Sequence, residues 1–118
     1  DNHLLVLNKP SGWIVQGAAP GQQSLLHWAG EYIAKKYHKP GQVYLGVVSR
    51  LDQFVTGVVP LARTSKAAAR LSQQFAERTV RKTYWAVVQG EVASQNGSLR
   101  HWMLRDESRA RSICLDQP

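Results

Sequence analysis

A chain of 118 residues has room for one small domain, and a content of 43% hydrophobic and 19% charged residues excludes a disordered or fibrous chain. Fifteen Lys and Arg against eight Asp and Glu give a net charge of +7, which points to a polyanionic partner: RNA, DNA or an acidic membrane surface. A single cysteine, Cys114, excludes an intrachain disulfide framework and a thiolate zinc site, and fits a reducing, cytoplasmic compartment. His3, His27, His38 and His101 are scattered without ligand spacing, so no metal site is expected. The longest apolar stretch, Gly57 to Ala62, is short and interrupted by Pro60, and the start Asp1-Asn2-His3 has no basic n-region; neither a membrane span nor a signal peptide is expected.

In chain order, Leu4 to Leu7 reads as a strand closed by the turn chemistry of Asn8-Lys9-Pro10-Ser11-Gly12. A short second strand, Trp13 to Val15, leads through a polar loop to Ser24, the N-cap of a helix running to about Tyr37. Leu25, Trp28, Ala29, Tyr32 and Ile33 fall near one face of that helix, and Trp28 is expected in the core. Lys35-Lys36 complements its dipole, and Pro40-Gly41 ends it. Val43 to Val48 and Gly57 to Ala62 read as strands. Thr64 or Ser65 caps a second helix to about Arg78, with Ala68, Leu71, Phe75 and Ala76 as its inner stripe. Lys82 to Val92 alternates at strand period, and weaker strands follow around Ser98 to Leu104 and Ala110 to Leu115. The order β-β-α-β-β-α-β-β-β predicts a mixed α+β domain over 1–118, its sheet mainly antiparallel and flanked by helices. The ending Asp116-Gln117-Pro118, directly after a strand, reads as an interruption. An unfinished sheet would expose an edge and favour association.

Among the eight carboxylates, Asp52 has an unusual setting: apolar strands flank it on both sides and Arg50 stands two residues before it. In extended backbone, residues two apart share a face, so Arg50 could pair with Asp52 and hold it ionised in a cleft, as a nucleophile requires. An ion pair that merely pins a loop explains the same two residues.

Arg50-Leu51-Asp52-Gln53-Phe54-Val55-Thr56-Gly57 resembles the Arg-Leu-Asp motif of the RluA-type RNA pseudouridine synthases. Leu5 to Gly12 is similar to that family's opening strand and its Asn-Lys-Pro-x-Gly turn. Phe75 to Arg78 and Val80 to Gly90 resemble its helix end and its Lys-x-Tyr-x-Ala strand. The resemblance implies the N-terminal part of a pseudouridine synthase catalytic domain, with its bent antiparallel sheet incomplete at the C-terminus. It implies an isomerase that converts uridine to pseudouridine in structured rRNA or tRNA without a cofactor, acting on a flipped-out nucleotide. By the same resemblance Asp52 is the nucleophile, Tyr84 lies against the target base and takes part in proton removal, and Arg50 positions the RNA backbone or Asp52. Lys9, Arg63, Arg81 and Lys82 are candidate phosphate contacts, although each also suits a solvated face.

Three departures from the family pattern qualify that implication. Ser49 stands where the family usually has histidine, and Val55 where it usually has threonine. The later Gly-Arg-x-His-Gln segment, whose arginine pairs with the catalytic aspartate, is not in this sequence. The alternative is therefore an RNA-binding relative of the same fold that has lost turnover. A glycoside hydrolase would need two carboxylates facing one bond, and none of the others shares the setting of Asp52.

Overall fold

A computed structural model describes residues 1–109 and 111–117. Ala110, the expected start of the last strand, and Pro118, at the expected interruption, lie outside the described residues. The chain divides into two compact units, Asp1–Thr83 and Tyr84–Pro118. The expected domain over 1–118 is thus met as two units, each described by itself.

In the first unit, β1 (Leu4–Lys9), β2 (Gly46–Val47) and β3 (Gly57–Ala62) form one antiparallel sheet in the order β1-β3-β2. The pairing of β1 with β3 runs from Leu4 opposite Ala62 to Lys9 opposite Gly57. Strand periodicity then sends Leu5, Leu7 and Lys9 to one face with Val59 and Leu61, and Val6 and Val58 to the exposed face. On the inner face Val59 and Leu61 join Val15, Leu25 and Ala29 in the core, with Leu7, Trp13, Leu45, Val47 and Leu51 packed around them. Each large apolar side chain fully buried there contributes about 1.5–3 kcal/mol.

Helix α1 (Leu25–Lys36) begins as expected at Ser24, whose hydroxyl accepts from the His27 N–H. It buries Leu25, Ala29 and Ile33. Helix α2 (Ser65–Ala76) is capped by Thr64, whose hydroxyl accepts from the Ala67 N–H. The α2 helix lies close to the sheet at Gly46, where an added Cβ would sit 2.9 Å from that of Ala68. Leu71 and Phe75 of the expected stripe are half-buried; Ala76 is exposed.

Several expected elements take another form. Trp13 to Val15 is not a strand: the Ile14 and Val15 carbonyls instead accept from the Leu25 and Leu26 N–H groups, satisfying free donors in the first turn of α1. Strand β2 is shorter than Val43 to Val48. Its ladder ends with Val47 opposite Leu61, one position before Pro60, which has no N–H to continue it. Trp28 is not in the core; it is 39% exposed and stacks on Tyr32, ring centroids 5.6 Å apart.

Alternation in Lys82 to Val92 does not produce a strand either. The segment pairs with no strand among the described residues, and Trp85 and Val87 are almost fully exposed. A period-two pattern becomes a strand only where a neighbour takes its hydrogen bonds. The second unit is otherwise a hairpin of β4 (Trp102–Asp106) and β5 (Arg111–Leu115), antiparallel with Trp102 opposite Leu115. Strand β4 starts later than the expected Ser98. The Asp106 carboxylate accepts from the Ser108 hydroxyl and the Arg109 N–H, which holds the turn.

Candidate active site

The Asn8-Lys9-Pro10-Ser11-Gly12 turn leaves β1 at the end of the sheet where the Asp52 loop enters β3, because Lys9 is paired with Gly57. The two loops are tied together directly. The Gly12 N–H donates to the Gln53 carbonyl at 2.9 Å, and the Gln53 side-chain amide donates back to the Gly12 carbonyl at 3.1 Å. The Ser11 hydroxyl donates to the Phe54 carbonyl at 3.1 Å. Gly12 has φ 87°, a conformation that glycine adopts without steric cost and that turns its N–H towards the other loop.

Lys9 supplies the central tie. Its side chain has 0% exposure, at a core-facing position of β1, and its ammonium donates to the carbonyls of Trp13 at 2.6 Å, Gln53 at 2.8 Å and Pro10 at 3.1 Å. Three N–H donors meet three acceptors, so the buried charge is fully hydrogen-bonded. Burial lowers the Lys9 pKa from the ordinary lysine value; the Asp52 carboxylate, within electrostatic reach, acts in the opposite direction. Lys9 was expected at a phosphate, and the structure corrects this: its ammonium has no free donor and no exposed surface.

Asp52 is exposed on the loop between β2 and β3, and its carbonyl accepts from the Val55 N–H at 3.1 Å. The backbone therefore turns at Asp52 instead of running extended. No Arg50–Asp52 ion pair forms among the described residues, whose ion pairs are His27–Glu31 and Arg109–Asp106. Arg50 is exposed on the same loop. The nearest positive charge that the structure ties to the Asp52 loop is Lys9, a residue whose spacing in the sequence offers no hint of this.

The remaining candidates fall elsewhere. Arg63 follows the far end of β3, roughly 17 Å along a strand of this length from Gly57. Its guanidinium lies 4.8 Å from the Tyr37 ring centroid and donates to the Asp1 carbonyl. The structure does not bring Arg63 to Asp52. Arg81 and Lys82 are exposed in the chain that follows α2. Tyr84 opens the second unit and is 60% exposed.

Next to the tied loops, an apolar groove of about 320 Å³ is lined by Leu7, Asn8, Pro10, Trp13, Leu25 and Trp28. No group of three or more His, Cys, Asp or Glu could hold a metal ion among the described residues. No helix there is long and apolar enough to cross a membrane.

An α+β chain with an exposed aspartate on a loop clasped by a Lys-Pro-x-Gly turn has the architecture of a pseudouridine synthase catalytic domain. The RNA pseudouridylate synthase family model matches residues 3–115, and the chain belongs to that family, in its RluA-type branch. It is 40% identical over 107 residues to ribosomal large subunit pseudouridine synthase C of Vibrio cholerae, covering 91% of this chain and 32% of that protein. It is 39% identical over 94 residues to tRNA pseudouridine synthase C of Pectobacterium carotovorum, covering 78% and 23%. Human RNA pseudouridylate synthase domain containing 4 superposes with a TM-score of 0.56 at 28% identity, over 67% of this chain and 28% of that one. The chain spans about a third of the length of the curated relatives it matches most strongly, 32% in the Vibrio cholerae case.

Proposed function

We propose that the protein to which this chain belongs isomerises uridine to pseudouridine in structured ribosomal or transfer RNA, with Asp52 as nucleophile. The observation that carries the reading is the clasp: the Arg-Leu-Asp loop is held by Lys9, Ser11 and Gly12, which leaves the Asp52 side chain exposed. A nucleophile held on a rigid frame needs little reorganisation when substrate arrives. Matches to enzymes named for rRNA and for tRNA support RNA as the substrate, and the net charge of +7 suits it. A cytoplasmic setting follows from that substrate class.

The target nucleotide leaves its stack to meet Asp52. The glycosidic bond between C1′ and N1 breaks with its electron pair on the uracil, which turns so that C5 bonds to C1′. The C5 proton then leaves and N1 gains one, so the sum is an isomerisation with no oxidant, reductant or cofactor consumed. Tyr84 stacks on the base and accepts or relays the C5 proton; its phenol suits both tasks. Arg50, Arg81 and Lys82 contact the RNA backbone. One family model spanning both compact units supports their belonging to one catalytic domain.

The test is tritium release from bulk RNA labelled at uracil C5, comparing the full protein with its Asp52→Ala variant. Release that disappears with Asp52→Ala is the expected result. RNA binding without release from either protein would favour the non-catalytic relative instead.

A further inference from the structure

Beside the clasp lies a separate small cavity of about 220 Å³, lined by Gly12, Trp13, Ile14, Gln22, Gln23 and Gln53. Its volume falls below the roughly 300 Å³ at which drug-sized pockets begin, which suits a single flat ring. The lining is mainly polar yet carries no charged group. It combines one indole with three primary amides, the side-chain types that stack on bases and read their edges.

The amides are not equivalent. The Gln23 side chain donates its N–H to Glu31 at 3.0 Å, and that of Gln53 donates to the Gly12 carbonyl at 3.1 Å. Both leave their amide carbonyl oxygens as acceptors. The exposed Gln22 side chain makes no hydrogen bond among the described residues, so it offers a donor and an acceptor side by side. Acceptors are in excess around the cavity. That excess suits adenine, cytosine or guanine, whose exocyclic amino groups donate, and disfavours uracil, which has two carbonyl acceptors beside its one ring N–H.

We propose that this cavity is a subsite for an unpaired RNA base bearing an exocyclic amino group, adjacent to the target uridine, with Gln22 reading its edge. The adjacency rests on the proposed function, because Gln53 lines the cavity and directly follows Asp52. Base identity at a flanking position then becomes part of substrate choice.

The test is fluorescence anisotropy of end-labelled hexaribonucleotides of adenosine, cytidine and uridine with the full protein and its Gln22→Ala and Gln22→Leu variants. Leucine keeps the side chain's reach without its amide, and unchanged thermal midpoints establish that both variants fold. A bidentate amide–base pair discriminates by roughly fivefold or more, so adenosine or cytidine hexamers should bind the native protein at least about fivefold tighter than uridine hexamers. Both variants should bring that preference within about twofold while leaving uridine binding unchanged. Equal affinities, no measurable binding to any hexamer, or a preference that survives both substitutions each overturns the subsite. Tritium release lost with Asp52→Ala but no base preference would overturn the subsite alone. A Gln22-dependent preference with no tritium release would retain the base site and overturn the isomerase reading.

Discussion

Replacing Lys9 by methionine removes the ammonium while keeping an unbranched side chain of similar length in the core. Three hydrogen bonds to carbonyls are lost, at 2.6, 2.8 and 3.1 Å. Each charge-assisted bond is worth about 1.5–3 kcal/mol gross. Against that sum stands the desolvation of a buried ammonium, about several kcal/mol, which methionine does not incur. Partial hydration of the exposed turn also recovers some of the loss. The net expectation is a destabilisation of about 2–4 kcal/mol. Urea unfolding of the native and Lys9→Met proteins, compared at equal slope, measures it. A change within about 0.5 kcal/mol, the range of ordinary surface substitutions, would refute the clasp. So would lower RNA affinity and a shallower salt dependence at unchanged stability, the signature of a lysine that holds phosphate.

The same residue sets a pH dependence. Burial lowers the folded Lys9 pKa below 10.5, so between those two values the unfolded chain binds more protons and stability rises with pH. The stability gap between native and Lys9→Met proteins should widen as pH climbs towards 10.5 and level off above it; a gap that narrows would contradict the assigned direction. Gly12→Ala should cost about 1–2 kcal/mol through backbone strain alone, since an added Cβ there meets nothing within 4 Å. The thermal midpoint reports it, and turnover should fall with it because the Gly12–Gln53 pair shifts. Gly46→Ala should cost about 1–3 kcal/mol by forcing α2 away from β2, with the larger share of the loss in stability instead of turnover.

Local rules account for what the sequence made legible. Ser24 and Thr64 mark both helix starts because a hydroxyl cap acts on its own first turn. The expected Gly57 to Ala62 strand is β3 to the residue. Misreadings arise where an outcome depends on a distant partner. Lys82 to Val92 has the period of a strand and no neighbouring strand among the described residues, and Trp13 to Val15 donates its carbonyl groups to a helix start instead of a sheet. In the candidate site, Asp52 was legible through its motif alone. The ties from Lys9, Ser11 and Gly12 join positions 41 to 44 residues apart, and no local pattern encodes which backbone groups will meet. Lys9 illustrates the limit: a lysine in a turn next to a basic surface reads as solvated, and only the register of β1 on β3 shows it facing inwards.

The most direct test of the central claim is single-turnover isomerisation by the full protein with Asp52→Asn, measured alongside RNA affinity. Asparagine keeps the size and polarity of the side chain and removes the nucleophilic carboxylate. The account predicts that RNA affinity stays within about twofold while turnover falls by about 10³-fold or more, the loss of an interaction used only in the transition state. Turnover retained within about tenfold would show that Asp52 is not the nucleophile, whatever the geometry of its loop.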